Sequence, residues 1–304
     1  RHPARSSSSA RRWGPGSSGP RSSIPFSKGR FQSPKLQRDL QSSGYVYREY
    51  APSEKLASHV ACYWTMDFDP GHGSRMHRIL PDGCVDIIVD RRAPSPRKAA
   101  FVEGLMATYE ILRFSEAQSL FGIRLFTESA PSLLRYPISA FIGQRVYIEE
   151  IWGTDGLFMV EEMLLAHEAP RIVEIAERQL IDRLSACDAP AHPLIYASMK
   201  EMYDSKGSLS MAELADRVSF SERHLRRTFD RELGLSPKEM LGIVRFQSLL
   251  QDLYNGLYRG ARSGFADLAA KYGYYDQSHF IKSFKRYYGM LPGQMGKMDG
   301  LGNT

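Results

Sequence analysis

The chain has 304 residues and a formal net charge of +6 at pH 7, with 42% apolar and 24% charged side chains. This length predicts about two globular domains, and no run of about 18 apolar residues predicts a transmembrane helix. The cysteines, Cys62, Cys84 and Cys187, are widely spaced, which argues against a disulfide framework or a structural zinc site and favours a reducing compartment. Residues 41–192 are acidic and residues 193–304 are basic, as expected for a polyanion-binding unit joined to another domain.

The first 40 residues are predicted to form a disordered basic tail outside the folded domains. They are rich in Ser, Gly, Pro and Arg and contain one acidic residue, Asp39, so they cannot bury an apolar core. They lack the apolar stretch of a secretory signal. Their composition fits either a transit peptide or an extension unrelated to the fold.

Residues 45–152 are predicted to form a β-rich domain. Short segments rich in Val, Ile, Phe and Tyr alternate with turn formers such as the Pro81, Asp82 and Gly83 triplet. The predicted strands are 60–68, 84–90, 98–104 and 119–126. Several short strands at this spacing indicate a small barrel or sandwich, and we expect a small β-barrel-like domain.

A helical pair is predicted to follow over residues 153–187. Apolar residues recur at three- and four-residue spacing over 155–167 and 170–186, and Pro170 suits a helix N-terminus. The apolar face of this pair is either core or a dimer interface. Residues 188–193 contain two prolines and are predicted to be a linker.

Residues 194–297 are predicted to be entirely helical. Together with the predicted β-rich domain, they give an α+β multidomain fold class. The predicted helices are 194–204, 210–218, 221–233, 237–255, 264–272 and 276–288. Residues 211–237 align with residues 265–292 when one residue is inserted in the turn. Each copy has two short helices joined by a tight turn, which predicts two helix-turn-helix motifs whose second helices enter the DNA major groove.

Matched positions of the two copies divide into an inner and an outer face. Leu225 and Phe229 are predicted core in the first copy, as Phe280 and Phe284 are in the second. The predicted DNA contacts face outward, and they are Arg223, Arg226, Arg227, Gln277, Ser278 and Lys282. Arg and Lys bind guanine edges or phosphates, and Gln reads adenine. The alternative, a merely solvated basic face, is disfavoured by the duplication.

The helix between the two copies is long enough to hold the two recognition helices about one turn of DNA apart. About 18 residues span about 27 Å at 1.5 Å per residue. This helix could hold the recognition helices about one DNA turn, or about 34 Å, apart, so that one chain reads two successive major grooves. His224 and His279 recur at matched positions and are predicted to pack or to contact phosphate.

The second copy carries a family signature. DLAAKYGYYDQSHFIKSFKRYYGMLP resembles the pattern DLA…GF.DQSHF…FK…G..P that ends the DNA-binding domain of AraC/XylS transcription regulators. The resemblance covers residues 193–295. It implies a cytoplasmic, non-enzymatic regulator, with activator as the expected sign, that has no cofactor and binds double-stranded DNA and RNA polymerase. Two departures are Ser219, where the turn has glycine, and the QMGKM end, which lacks the usual basic residue.

A weaker resemblance links residues 45–152 to the N-terminal region of one branch of this family. The segments HRILPDGCVDIIVD, GIRLF and VYIEEIWG carry it, and it implies a sensor for a small effector. Arg78 and Arg124 are the expected polar effector contacts. The aromatic residues that could line a pocket or lie in the core are Tyr63, Trp64, Phe121 and Phe126.

The sequence gives little support for a metal site, a redox-sensing cysteine or an enzymatic function. His77, Cys84 and Asp86 fit no metal-ligand spacing, so we expect no metal, and Cys84 has no neighbour in sequence that would activate it as a redox sensor. The alternative function is a DNA-repair or other enzyme carrying this DNA-binding module. No cysteine context or hydrolase, protease or nucleotide motif supports it, so we expect no catalytic residue.

Overall fold

The computed structural model describes residues 45–69, 71, 75–186, 192–258 and 265–294. The predicted tail over residues 1–40 and most of the predicted linker lie outside the described residues. Within them, a β-rich N-terminal part is followed by a helical C-terminal part, as the sequence predicts. Most buried apolar side chains of both parts form one continuous core, and Cys62, Trp64 and Met66 form a separate small cluster. No described helix is both long and apolar enough to cross a membrane.

The strands form two antiparallel sheets. The strands are β1 (Tyr45–Tyr50), β2 (Val60–Phe68), β3 (Arg75–Ile79), β4 (Cys84–Asp90), β5 (Ala100–Glu103), β6 (Glu110–Phe114), β7 (Gln118–Phe126) and β8 (Val146–Tyr147). Six of them form a sheet in the order β1-β2-β7-β4-β5-β8, and β3 pairs with β6 alone. No pairing of the edge strands β1 and β8 closes the sheet within the described chain, so the predicted barrel-like closure is not confirmed.

The six-stranded sheet has one apolar and one mixed face because side chains alternate along a strand. In β4, Val85, Ile87 and Val89 are fully buried in the main core. The residues between them, including Asp86, point to the other face, towards β3 and β6. Gly122 in β7 lies opposite Trp64 in β2, and a side chain at Gly122 would overlap the Trp64 indole. That glycine therefore lets the indole lie flat across the mixed face.

The helices that follow are α1 (Ala130–Leu134), α2 (Ile148–Leu165), α3 (Ala169–Ser185), α4 (Pro193–Asp204), α5 (Met211–Val218), α6 (Glu222–Leu233), α7 (Pro237–Tyr258), α8 (Phe265–Lys271) and α9 (Gln277–Tyr288). The helices of the C-terminal part begin and end within about three residues of their predicted bounds. In the predicted helical pair, α2 begins earlier than expected, inside the segment assigned to the β-rich domain. Its backbone breaks at Gly153, where φ is 60° and ψ is −142°.

The apolar face of α3 belongs to the main core. Ile172, Ile175 and Leu180 are buried there. On α2, by contrast, Phe158 and Leu165 are 65% and 78% exposed. The face predicted to be either core or a dimer interface is thus core on α3, and apolar side chains stay on the surface of α2.

Candidate nucleic-acid interface

The two helix-turn-helix units share the same backbone hydrogen bonds. At the end of α5 the Phe220 amide donates to the Ala215 carbonyl at 3.0 Å, and at the end of α8 the Tyr274 amide donates to the Ala269 carbonyl at 3.0 Å. Both bonds close a left-handed turn, a common C-terminal arrangement of helices. The predicted duplication is therefore present in the hydrogen bonding as well as in the sequence.

Each second helix is capped in the same way. The Ser221 hydroxyl accepts from the His224 amide at 3.2 Å, and Asp276 Oδ1 accepts from the His279 amide at 2.7 Å. A side-chain oxygen at this position satisfies an otherwise free amide. The His224 ring stacks on Phe220 with centroids 5.1 Å apart. The His279 ring packs edge-on against Tyr274 with centroids 5.4 Å apart, so each imidazole contacts an aromatic ring of the preceding turn.

Aromatic side chains fill the inner face of each unit. Phe229 on α6 and Phe284 on α9 are almost completely buried. Phe284 packs edge-on against Phe246 of α7, with ring centroids 5.7 Å apart. Tyr287 and Tyr288 are also buried, so they contribute packing rather than groups that a DNA backbone could reach.

The outer face of each second helix is polar and open to solvent. The six side chains predicted to contact DNA are all exposed, three on α6 (Arg223, Arg226, Arg227) and three on α9 (Gln277, Ser278, Lys282). Arg226 donates to Glu222 at 2.8 Å, one turn away, a surface pair worth only about 0–1 kcal/mol. DNA phosphate could replace that partner at little cost.

The helix α7 connects the two units and is longer than the sequence predicts. Its 22 residues correspond to about 33 Å at 1.5 Å per residue. This length is close to one turn of DNA, about 34 Å. Arg286, near the end of α9, donates to Glu239 in the first turn of α7 at 3.0 Å, which ties α9 to α7.

The N-terminal part contains a cavity of about 340 Å³ between the mixed face of the large sheet and the β3–β6 pair. Arg124 lies in its wall and is 5% exposed. Its Nε and Nη2 donate to Asp86 Oδ1 and Oδ2 at 3.1 and 3.2 Å, and Nε lies 3.3 Å from Asp82 Oδ2. Burial alone would lower the pKa of Arg124, but Asp86 and Asp82 raise it well above its ordinary value. The guanidinium is therefore a fixed charge.

The other predicted effector contact, Arg78, does not line this cavity. Its guanidinium lies 5.4 Å from the ring centroid of Tyr288 in α9 and 6.0 Å from that of Tyr109. Of the four aromatic residues considered for a pocket, only Trp64 lines the cavity. Tyr63 and Phe121 lie in the main core with their rings stacked 6.1 Å apart, and Phe126 is buried outside the cavity wall.

The described cysteines are unactivated thiols. Burial raises the pKa of Cys62 to about 12 and raises that of Cys84 as well. A raised pKa keeps a thiol protonated and unreactive. Among the residues that the structure describes, no three or more His, Cys, Asp or Glu side chains are grouped as metal ligands.

Comparison with known proteins finds similarities in both parts of the chain. Residues 214–298 match a family described as a helix-turn-helix domain, and residues 48–147 match a domain of unknown function, DUF6597. An "Uncharacterized HTH-type transcriptional regulator" of Haemophilus influenzae is 32% identical over 85 residues, which are 28% of this chain and 27% of that protein. A "Probable thc operon regulatory protein" of Rhodococcus erythropolis is 29% identical over 86 residues, or 28% and 25% of the two chains.

Among solved structures, ToxT from Vibrio cholerae aligns with a TM-score of 0.37 at 11% identity, over 83% of this chain and 98% of that chain. The match to the curated relatives spans about a quarter of their length. Together with the helix-turn-helix family match over residues 214–298, these relatives confirm the resemblance to the AraC/XylS regulators predicted from the sequence.

Proposed function

We propose that this chain, whose C-terminal region is a helix-turn-helix domain of the AraC type, is a sequence-specific DNA-binding transcription regulator. The observation that carries this proposal is the duplicated unit in which Phe229 and Phe284 fill the core while the opposite face of each second helix stays exposed. Exposed Arg, Lys and Gln on such a face are the side chains that read base edges and bind phosphates.

One chain reads two successive major grooves in this proposal. Arg223, Arg226 and Arg227 contact one groove, and Gln277, Ser278 and Lys282 contact the next. The length of α7 supports this arrangement, since about 33 Å matches one DNA turn. The bound site then covers about 20 base pairs.

The N-terminal domain modulates DNA binding through a small effector. Its acidic sequence is unsuited to binding DNA directly, and its cavity has the size of small-molecule sites, about 300–1,000 Å³. Barrel-like closure of the domain, a cytoplasmic location, contact with RNA polymerase and homodimerisation are further expectations for such a regulator. Activation is the expected sign.

An enzymatic role for the chain is the alternative, and the thiols argue against it. Cys62 and Cys84 are buried with raised pKa values, whereas a nucleophilic cysteine needs a depressed pKa and access to substrate. We therefore infer that the chain acts by binding rather than by catalysis. Incubation of the full chain with alkylated DNA should leave the lesions unrepaired.

The direct test is to select duplexes that bind the full chain from a random-sequence pool and to footprint the best one. Protection should extend over two successive major grooves on one side of the duplex. Arg227→Ala should weaken one half of the footprint and Lys282→Ala the other, each by about 1–3 kcal/mol. Lys55→Ala removes an equal charge from an exposed site outside the helical part and should change affinity little.

Two results would reject the proposal in different ways. A footprint confined to one groove would reject reading by two helices. Selection that yields no preferred sequence, with equal losses for Lys282→Ala and Lys55→Ala, would reject sequence-specific recognition altogether.

A further inference from the structure

The cavity of the N-terminal domain offers a preformed apolar surface to a ligand. One wall is apolar and aromatic, and includes Trp64, Phe101 and Phe114. The Trp64 indole is held in place by a hydrogen bond from Nε1 to Asp86 Oδ1 at 3.1 Å and by stacking with Tyr47, whose ring centroid is 6.0 Å away. An apolar body therefore finds a preformed surface, since the indole does not need to reorganise to receive it.

Arg124 contributes a hydrogen-bond donor that the described chain leaves unused. Its Nε and Nη2 are bound to Asp86, but the buried Nη1 has no hydrogen-bond partner among the described residues. A buried charged donor without a partner is costly, and native proteins rarely leave one. A ligand with an oxygen acceptor at this point of the wall would satisfy it.

The charged residues that line the cavity favour a ligand with a cationic group. Its acidic lining residues are Asp82, Asp86, Asp90, Glu103 and Glu110, and its arginines are Arg124 and Arg145. Burial lowers the pKa of His77 in the same wall to about 4, so the imidazole is neutral at pH 7 and does not offset the carboxylates. Burial also raises the pKa of Glu103, and a cation beside it would stabilise its charged form. An anionic ligand is disfavoured by the same excess of carboxylates.

One segment of chain, residues 77–84, separates the cavity from the DNA-binding domain. Five of its residues line the cavity: His77, Ile79, Leu80, Asp82 and Cys84. The other three face the helical domain. The Pro81 carbonyl accepts from Gln247 Nε2 in α7 at 2.6 Å. A Cβ added at Gly83 would lie 3.3 Å from Met240 Sδ, also in α7. Arg78 lies over the ring of Tyr288 in α9.

This arrangement gives a ligand a physical route to the recognition helices. The cavity wall is a single extended segment rather than a layer of side chains, so a shift on one side displaces the carbonyl and the guanidinium on the other. The Gln247–Pro81 bond is buried, and breaking it would leave two buried polar groups unsatisfied. The segment should therefore move together with α7 rather than separate from it.

We propose, on the basis of the regulatory role above, that this cavity binds a small protonated amine that also carries an oxygen acceptor and an aromatic or apolar body. The acceptor binds Arg124 Nη1, the ammonium group lies among the carboxylates of Glu103 and Glu110, and the apolar body packs on Trp64. Occupancy changes DNA affinity through residues 77–84 and their contacts with α7 and α9.

Calorimetric titration of the full chain with three related probes tests the ligand class. Phenylethanolamine carries the ring, the amine and an acceptor; phenethylamine lacks the acceptor; phenylacetate replaces the amine with an acid. Phenylethanolamine should bind about tenfold more tightly than phenethylamine, the value of one charge-assisted hydrogen bond, and phenylacetate should not bind. Binding of phenylacetate as tight as that of the amines, or no heat from either amine at millimolar concentration, would overturn the proposal.

Substitutions of the lining carboxylates test whether the amine binds in this cavity. The double variant Glu103→Gln, Glu110→Gln should weaken phenylethanolamine at least tenfold, because it removes both carboxylates while keeping their size. Glu116→Gln changes an exposed carboxylate that does not line the cavity and should bind as the wild type does. Equal affinity of the double variant and the Glu116→Gln control would place the amine elsewhere and overturn the site.

The coupling is tested with the duplex selected by the full chain, by fluorescence anisotropy with and without saturating phenylethanolamine. The amine should change DNA affinity about 5- to 150-fold, the usual range of coupling between two sites. Gln247→Met removes the donor to Pro81 at similar size, and Arg78→Gln removes the cation over Tyr288. Both should bind the amine as the wild type does but lose most of the change in DNA affinity.

The outcomes separate this inference from the proposed function. Sequence-specific DNA binding without any response to a bound amine would overturn the coupling and leave the regulator intact. Failure to select any duplex would overturn the regulator, while calorimetry would still decide the ligand class. A full response in both Gln247→Met and Arg78→Gln would show that residues 77–84 are not the route.

Discussion

Replacing Ser219 with glycine should stabilise the protein, because Ser219 closes the turn after α5 with a left-handed backbone, at φ 59° and ψ 37°. The equivalent position in the second unit is Gly273, with φ 67°. The two turns make the same hydrogen bonds, so the serine carries a conformational cost that the glycine avoids. Ser219 is exposed, and its loss removes little packing.

The magnitude follows from two opposing terms. A left-handed backbone costs a residue with a Cβ about 1–2 kcal/mol, whereas glycine loses about 0.5–1 kcal/mol more conformational freedom on folding. Ser219→Gly should therefore raise the free energy of unfolding by about 0.5–1 kcal/mol. Gly273→Ser should lower it by a similar amount, since an added Cβ would meet nothing nearer than Ser208 Cβ, at 3.9 Å, and only the backbone conformation is penalised.

Urea denaturation of the full chain, followed by circular dichroism, measures both changes. The midpoint should move in opposite directions for the two single variants, and the dependence on urea should stay constant, as it does when stability alone changes. The double variant should lie within about 0.5 kcal/mol of the wild type if the turns are independent. Loss of stability in Ser219→Gly, or an unchanged Gly273→Ser, would refute the equivalence of the two turns.

Two further predictions concern packing and pH. Phe229→Ala should destabilise the chain by about 3–5 kcal/mol because it opens a cavity in the core. Arg227→Ala, on the exposed face of the same helix, should change stability by no more than about 0.5 kcal/mol. Thermal melts of both variants test whether the buried and exposed faces of α6 are assigned correctly. Burial lowers the pKa of His77 from 6.5 to about 4, so the unfolded chain takes up this proton first and stability falls as pH drops through that window. The His77 ring stacks on Phe114 with centroids 5.9 Å apart, and His77→Phe keeps an aromatic ring there. This variant should remove about 1–3 kcal/mol of the loss of stability at low pH, and a pH profile of urea midpoints unchanged from the wild type would contradict this.

The parts of the fold that the sequence predicts are those with a strong apolar pattern. The central strands β2 and β4 begin and end as predicted, because burial on one or both faces makes their sequences rich in Val, Ile and aromatic residues. The strands β1, β3, β6 and β8 are not among the four strands predicted from the sequence. β6 is exposed over most of its length, and its pairing with β3 supplies the order that its own side chains do not indicate.

The early start of α2 was missed for a related reason. Gly153 within Ile148–Leu165 is a helix-breaking signal, and the backbone there is non-helical. The sequence therefore indicates the break correctly but not the helical turn that precedes it. That turn has two glutamates at its start, which suit a helix N-terminus.

The candidate sites differ in how far the sequence could define them. The outward faces of α6 and α9 follow from helical periodicity and from comparison of the two copies, so their six polar residues could be selected in advance. Arg124 could be selected only as a candidate, because its partner Asp86 is brought opposite it by the register of β4 and β7. Strand register depends on tertiary contacts that a single sequence does not contain. Arg78 illustrates the same limit, since its neighbour His77 faces the cavity and Arg78 therefore faces α9.

The N-terminal domain contacts both recognition helices at equivalent points. Gly234 ends α6 and Gly289 ends α9, both with a left-handed backbone. A Cβ at Gly234 would lie 2.6 Å from Ile142 Cδ1, and a Cβ at Gly289 would lie 2.6 Å from Tyr109 Cε2. Each glycine thus ends its helix and also admits a side chain of the N-terminal domain.

These contacts lie at the C-terminal ends of α6 and α9, while Arg223 and Gln277 lie in their first turns. The residues predicted to contact DNA stay exposed, while the opposite end of each helix contacts the N-terminal domain. Near Gly234 the Ser139 hydroxyl also donates to the Arg231 carbonyl at 2.6 Å, so the N-terminal domain binds the last turn of α6 by a hydrogen bond as well as by packing. The N-terminal domain therefore contacts α6 and α9 at the ends opposite their exposed polar residues. In this arrangement the proposed ligand could change the relative orientation of the two helices without covering the predicted DNA-binding face.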